Sequence, residues 1–317
     1  MAIKLKLSDI EKKQFGGLDP VMVIGFFDGV HKGHQKIINM CKDSSGKKGR
    51  ASIILTFDRP PLNVVKSRTY KKLILPFKEK LKILEDIGVD FIVTAEINPE
   101  FLSFSPGDFC KDILLGIFGV KELFIGKGFR FGYRASGDVG LLKSYLESAG
   151  VRVNEVKLLG SDEGEVISST TIRDYYKEGN ILKIRKLLGR DPYIKGMVVK
   201  GAGRGEDLGF PTANLDISDT LVIPSDGVYF GTVSMIDGDG SLQPAIINIG
   251  NNPTFGTSKK WIEAHILDFN KKLYDKEIKI NFLKRHRDEV KFNNSDELIN
   301  KIRKDAGQAR IFFKEKV

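Results

Sequence analysis

From residue 21 onward the chain alternates short apolar runs with longer stretches whose apolar positions recur every three or four residues. The runs fall at 21–24, 51–56, 90–94, 122–125 and 151–156. Most of them are nearly continuously apolar, which predicts strands buried on both faces. Between them the helical spacing is clearest over 78–87 and 106–118, the second opened by Ser105 as N-cap with Pro106 in the first helical position. Strands alternating with helices imply a parallel sheet covered on both sides, with ligands at the C-terminal strand ends.

After Gly189-Arg190-Asp191-Pro192 the pattern changes. Residues 193–200, 228–236, 242–249, 261–267 and 277–282 read as strands without intervening helices, and Asp237-Gly238-Asp239-Gly240 reads as a hairpin turn. Only the tail is helical in pattern, from Asn294 or Ser295 as cap through Leu298, Ile302 and Ala309. This predicts a small antiparallel barrel or sandwich with a terminal helix. The chain is therefore expected to be α/β overall, with a parallel-sheet domain over 1–188 and a β domain over 189–317.

With 317 residues, 41% of them hydrophobic, the chain can fill two cores. No stretch approaches the roughly 18 apolar residues of a membrane span, and the opening Met-Ala-Ile-Lys-Leu-Lys-Leu-Ser lacks the apolar centre of a secretion signal. Cytoplasmic localisation and no membrane partner are expected. Cys41 and Cys110 are far apart with no CxxC, so they read as buried free thiols rather than zinc ligands or a disulfide. The net charge of +10 suits a protein that handles polyanions. The basic residues are nonetheless scattered, which favours a solvated lysine-rich surface over a nucleic-acid footprint.

Two of the four histidines fall in Gly25-Phe26-Phe27-Asp28-Gly29-Val30-His31-Lys32-Gly33-His34, directly after the apolar run Val21-Met22-Val23-Ile24. A buried strand passing through glycines into a helix N-terminus is a standard phosphate site, and paired imidazoles add hydrogen-bond donors there. A second glycine-rich segment, Gly201-Ala202-Gly203-Arg204-Gly205, leads into Leu208-Gly209-Phe210-Pro211-Thr212-Ala213-Asn214. It combines backbone access to a ligand with a cation at Arg204, although a flexible hairpin explains the bare pattern equally well. No GxxxxGK[ST] loop occurs.

These two segments, together with Ile167-Ser168-Ser169-Thr170-Thr171-Ile172-Arg173, resemble the bifunctional riboflavin kinase/FAD synthetase family of bacteria, in the family's order and over about residues 20 to 312. Phe129-Arg130-Phe131-Gly132, Asn248-Ile249-Gly250, Pro253-Thr254-Phe255, and Arg287-Asp288-Glu289 with Phe292 extend the likeness. The resemblance implies a Rossmann-like nucleotidyltransferase domain followed by a riboflavin-kinase barrel, with riboflavin, FMN and ATP as substrates.

For the first half it implies adenylyl transfer, in which an FMN phosphate oxygen attacks the α-phosphate of ATP and pyrophosphate leaves. The nucleophile is already anionic, so alignment and charge neutralisation suffice. His31, His34 and Arg173 would act on the phosphates. Gly25, Phe26, Asp28, Gly29, Gly33, Ser168, Ser169 and Thr170 would bind nucleotide, and Phe129 and Arg130 would bind flavin. For the second half it implies phosphorylation of riboflavin by ATP and Mg²⁺, with Glu263 as the base that takes the hydroxyl proton. Strand parity alone places Ile262, Ala264 and Ile266 on one face and Glu263 with His265 on the other, which a merely solvent-facing Glu263 would also satisfy. Gly201, Gly203, Arg204, Gly205, Pro211, Thr212 and Asn214 would hold ATP, with Thr212 and Asn214 offering neutral oxygens to Mg²⁺. Asn248, Arg287, Glu289 and Phe292 would contact flavin, while His265 and His286 are expected to serve packing or surface roles.

The chain departs from the family pattern twice. Thr56-Phe57-Asp58-Arg59-Pro60-Pro61 stands where Thr-Phe-acidic-Pro-His-Pro is usual, and Gly128 stands where Asp or Asn is usual. Arg59 is the candidate replacement for the lost histidine. The departures define one alternative, a riboflavin kinase whose first half does not turn over. Another is a non-catalytic flavin- or nucleotide-responsive regulator, which would have no use for a base at Glu263.

Overall fold

The structure, a computed structural model, describes residues 2–11, 14–61, 72–157, 160, 164–201, 205, 209–251, 260–292 and 294–315. The chain divides into two compact units, residues 1–169 and 170–317.

In the first unit the apolar runs form a parallel sheet, because strands that are greasy on both faces need cover on both. The strands are β1 (Ile3–Lys6), β2 (Val21–Ile24), β3 (Ser52–Phe57), β4 (Phe91–Ala95), β5 (Glu122–Gly126) and β6 (Arg152–Val156). Their order is β1-β4-β3-β2-β5-β6. Helices α1 (Lys32–Lys47) and α2 (Phe77–Asp86) help cover one face, where Ile37, Ile38, Cys41 and Leu84 meet Val21, Val23, Ile54 and Ile92. On the other face lie α3 (Pro99–Ser103), α4 (Pro106–Asp108), the π-helical stretch Phe109–Ile117 that continues it, and α5 (Val139–Glu147). There Phe109, Ile113, Leu142 and Leu146 pack on Met22, Ile24, Ile53 and Leu55. The Ser105 hydroxyl accepts from the Asp108 N–H at 3.1 Å, as its cap position requires. Because β3 and β5 flank β2 on opposite sides, the chain leaves β2 at the point where the strand order reverses, which is where such sheets open a crevice.

The pattern did not predict β1. Its alternation of Ile3 and Leu5 with Lys4 and Lys6 suits an edge strand, and those lysines pair with Glu85 at 2.8 Å and Glu96 at 3.1 Å. Both cysteines are buried and free, and burial pushes the Cys41 thiol up to about 12 and Cys110 up to about 11. Neither is a thiolate at neutral pH.

The second unit begins with α6, the helix Ser169–Glu178, whose first residue belongs to the first unit. It is followed by α7 (Ile181–Leu188), which is capped by Asn180 and closed by Gly189 at φ 74°. The strands β7 (Tyr193–Val199), β8 (Ala213–Asp216), β9 (Gly227–Met235), β10 (Gln243–Asn251), β11 (Lys260–Ile266) and β12 (Glu277–Arg287) close a barrel in the order β10-β11-β8-β7-β12-β9. The short, polar β8 had no signal of its own. It is a strand because β7 and β11 both pair with it. The terminal helix α8 (Ser295–Lys314) is capped by Asn294, whose Oδ1 accepts from the Glu297 N–H at 2.9 Å. It lays Ala306, Ala309 and Phe312 on Val228, Phe230 and Ile246. Among the described residues no helix is long and apolar enough to cross a membrane.

Asp305 ties α8 to the barrel. Only 2% exposed, it accepts from Arg287 Nε at 2.9 Å and Nη2 at 2.6 Å, and His286 Nε2 lies 3.1 Å from its other oxygen. His286 also stacks on Phe230 at 4.3 Å, a packing role rather than a surface one. Burial alone would raise the Asp305 pKa, yet the bonds from Arg287 and His286 hold it below the ordinary aspartate value of 3.8. Its contribution to stability is therefore complete above 3.8 and lost as pH falls through the lower folded value. Asp305→Ala is expected to cost the second unit about 3–5 kcal/mol, because it strands a partly buried arginine, and urea unfolding at neutral pH measures this.

Candidate active sites

The loop after β2 is strained and heavily tied down. Phe27, Gly29 and Val30 have φ of 55°, 79° and 40°, and for a β-branched residue such as Val30 this region is a genuine outlier. Such conformations cost of order 1–3 kcal/mol each and persist only where their surroundings over-determine them. The surroundings here are explicit. The Phe26 carbonyl accepts from Lys80 Nζ at 2.9 Å, Phe27 from the Val30 N–H at 3.1 Å, Asp28 from Ser169 Oγ at 2.9 Å, and Val30 from Gln35 Nε2 at 2.8 Å. The Asp28 carboxylate is buried and accepts from the Ile74 N–H at 3.0 Å, so it fixes the turn.

His31 is the N-cap of α1 and is 3% exposed. Its Nδ1 accepts from the His34 N–H at 3.3 Å, which places the proton of the neutral ring on Nε2. The two imidazoles stack with centroids 3.5 Å apart and planes 18° apart. Burial first, then the nearby His31 and Lys80 charges, hold the His34 pKa well below 6.5. His34 is thus a neutral N–H donor at physiological pH. Its Nδ1 is buried with no hydrogen-bond partner among the described residues. Gly33 sits close beneath the pair, since a Cβ there would lie 3.1 Å from His31 Nδ1.

Ser168 precedes α6, Ser169 opens it, and Thr170 and the half-buried Arg173 follow on the same helix in the second unit. Phe129 stacks on Phe131 at 5.8 Å, and Arg130 Nε donates to the Ala135 carbonyl at 2.9 Å. Gly128 has φ 75°, the left-handed region that Asn and Asp tolerate best after glycine. Gly128 and the family's usual Asp or Asn therefore meet the same backbone demand. The exposed Arg59 pairs with Asp58 at 2.9 Å.

In the second unit the cross-strand register brings three predicted residues into one row. Glu263 on β11 lies opposite Asn248 on β10 and opposite Asn214 on β8. Paired residues share a face. Ile262, Ala264 and Ile266 are buried on the other face, as parity predicted. Asn214 is buried, and its Oδ1 has no hydrogen-bond partner among the described residues. Gly201 packs against it so closely that a Cβ would overlap the Asn214 amide. Thr212 opens onto a pocket of about 230 Å³ lined also by Pro211, Ala213, Lys271, Leu273 and Tyr274. His265 Nδ1 lies 2.9 Å from the Pro211 carbonyl, and the Gly205 carbonyl accepts from the Phe210 N–H at 2.7 Å, so both shape the approach to Thr212.

The Glu289 residue is exposed, yet its carboxylate lies against Gly250 and bonds Asn248. Partial burial, then Asp226, raises its pKa. Arg287 is engaged by Asp305, and Phe292 is half-buried beyond β12. Gly203 and Arg204, with Pro253, Thr254 and Phe255, lie outside the described residues. Among the described residues no group of three or more His, Cys, Asp or Glu side chains could hold a metal ion.

Sequence reasoning missed Lys80 and the pocket wall at Lys271–Tyr274. The only signal for Lys80 was its place in the stripe Phe77, Lys80, Leu81, Leu84, where helical spacing calls for an apolar side chain.

Comparison with known proteins matches the same two halves. The riboflavin kinase family model matches residues 188–313, and the FAD synthetase family model matches residues 17–171. The chain is 34% identical over 298 residues to the bifunctional riboflavin kinase/FMN adenylyltransferase of Bacillus subtilis, covering 92% of each. It is 33% identical over 307 residues to that of Listeria monocytogenes, covering 96% of each, and 31% identical over 293 residues to that of Escherichia coli K12, covering 92% of each. A solved structure described as a macrolide-efflux protein from Streptococcus pneumoniae shares the fold with a TM-score of 0.85 and 29% identity, over 97% of this chain and 99% of that one. With both halves matched and the likeness running nearly end to end, the chain belongs to the bifunctional riboflavin kinase/FMN adenylyltransferase family.

Proposed function

We propose that the chain makes FAD from riboflavin in two ATP-dependent steps, riboflavin to FMN within residues 189–317 and FMN to FAD with the motifs of residues 1–188. The observation that carries the reading is that each unit presents one distinct cluster of family-motif residues. These are the stacked His31–His34 pair on a strained loop and the Asn248–Glu263–Asn214 row.

In the kinase step riboflavin's terminal hydroxyl attacks the γ-phosphate of ATP, the bond to the β,γ-bridging oxygen breaks to release ADP, and the hydroxyl must shed its proton. Glu263 accepts it. Asn248, Glu289, Arg287 and Phe292 orient the flavin, and Pro211, Thr212 and the glycines of 201–205 with Arg204 hold ATP. The unpartnered buried Oδ1 of Asn214 fits a hard cation, which prefers oxygen ligands. Thr212 and Asn214 would hold Mg²⁺, which supplies charge neutralisation on the ATP phosphates. In the adenylyl step the FMN phosphate is the nucleophile. His31 and His34 donate to phosphate oxygens, Arg173 with Ser168 and Thr170 receives the pyrophosphate charge, and Phe129 and Arg130 meet the flavin. Arg59 is a further phosphate ligand.

Incubation of the full chain with riboflavin, ATP and Mg²⁺, with flavins resolved by chromatography, is expected to yield FMN and then FAD. FMN alone would limit the chain to the kinase step. Gly201→Ala, which forces the Asn214 amide to move, is expected to lower FMN formation by about 10²-fold while FAD formation from supplied FMN persists.

A further inference from the structure

Lys80 is 2% exposed on the inward face of α2. Its Nζ donates to three oxygens, the Phe57 carbonyl at 2.7 Å, the Phe26 carbonyl at 2.9 Å and Thr56 Oγ1 at 3.2 Å, and it sits 4.1 Å from the centroid of the Phe26 ring. An ammonium has three N–H donors and a neutral amine only two, so three acceptors match the charged form. Thr56 Oγ1 itself donates to the Phe26 carbonyl at 3.3 Å, which turns its lone pairs to Lys80. Thr56 and Phe57 end β3, and Phe26 is the second residue beyond β2. One buried charge therefore links the C-terminal ends of two adjacent strands at the entry of the strained loop.

We propose that Lys80 is a positioning residue for adenylyl transfer, its buried ammonium holding the Phe26 carbonyl inward so that the Gly25–His34 loop keeps its strained, phosphate-ready form, and that this hold fails when Lys80 loses its proton. The inference rests on the adenylyl-transfer reading above. The charged groups that face Lys80 are Asp28 beyond β2 and Asp58 beyond β3, the latter also paired with Arg59, and both favour the ammonium. His34 on α1 senses the Lys80 charge and stays neutral. Burial outweighs the two carboxylates and brings the Lys80 pKa from 10.5 down to about 7.

This gives activity and stability opposite signs. The folded pKa lies below the unfolded one, so between about 7 and 10.5 the unfolded chain holds a proton that the native chain has released. Over that window folding stability from this group rises with pH while adenylyl transfer falls. Unfolding cannot imitate that combination. The phosphate of FMN gives up its second proton near about pH 6, as phosphomonoesters do, so it cannot create a falling limb above it.

The test follows FAD formation from saturating FMN and ATP by the full chain between about pH 6 and 9.5, with melting temperature measured across the same range. In the wild type kcat is expected to fall through a single limb near 7 while the melting temperature does not fall with it. Thr56→Val removes one acceptor of the ammonium and is expected to move the limb to lower pH by about one unit. Lys80→Met is expected to lower kcat about 10²-fold and flatten the profile, with riboflavin phosphorylation in the same sample unchanged. A limb that Thr56→Val leaves in place, or wild-type kcat and profile in Lys80→Met, overturns the proposal. If Lys80→Met fails to fold, the Thr56→Val limb decides alone. A wild-type chain that makes FMN but no FAD at any pH overturns the adenylyl-transfer reading itself, a result distinct from FAD formation that ignores Lys80.

Discussion

Glu263→Gln is expected to lower riboflavin phosphorylation by about 10² to 10⁴-fold, the usual cost of removing a general base. The amide keeps the size of the side chain and can still hydrogen-bond the substrate hydroxyl, but it cannot take the proton that leaves as the oxygen attacks phosphorus. Loss of a single contact would cost on the order of tenfold, so the magnitude separates a base from a positioning contact. Affinity for ATP and riboflavin is expected to hold, because neighbouring Asn214 and Asn248 keep their places in the backbone register. Supplied FMN should still become FAD, since that nucleophile needs no base. Near-normal FMN production by the variant would remove Glu263 from the mechanism and leave alignment as the source of catalysis.

His31→Ala is expected to lower FAD formation from FMN by about 10²-fold or more and to leave FMN formation near the wild-type level. The ring has two roles that alanine cannot fill, as donor from Nε2 and as the acceptor at Nδ1 that caps α1 and carries the stacked His34. Arg173→Ala is expected to act in the same direction by removing a cation that the departing pyrophosphate needs. Rates for the two steps, measured separately on well-folded variants, check both. Equal loss of both activities would contradict the assignment of these residues to one step.

Much of this was legible in the chain because its signals are local. β2 is continuous and apolar, so its limits at Val21 and Ile24 followed from composition, and the loop after it announced itself through glycines and histidines. Ser105 and Asn294 cap helices by bonds spanning three residues. What escaped depends on partners distant in sequence. β8 has four residues, two of them polar, and is a strand only because β7 and β11 flank it. Without it, the alignment of Asn214 with Glu263 could not be seen. Lys80 looked like one more solvated lysine, and only the carbonyls at the ends of β2 and β3 give it a reason to be inside. Gly128 looked like a departure until its φ revealed a left-handed turn.

The backbone register that aligns Asn248, Glu263 and Asn214 also governs which length changes the chain can survive. Side chains alternate along a strand, so deleting one residue from β11 between Trp261 and Glu263 would turn the carboxylate toward the packed face and leave Ala264 in its place. Deleting two would restore the face but slide the carboxylate past both asparagines. Substitutions that keep β11 apolar at Ile262, Ala264 and Ile266 leave this arithmetic intact. In descendants of this chain, insertions and deletions should therefore collect in the Asp237-Gly238-Asp239-Gly240 turn and be absent from β11.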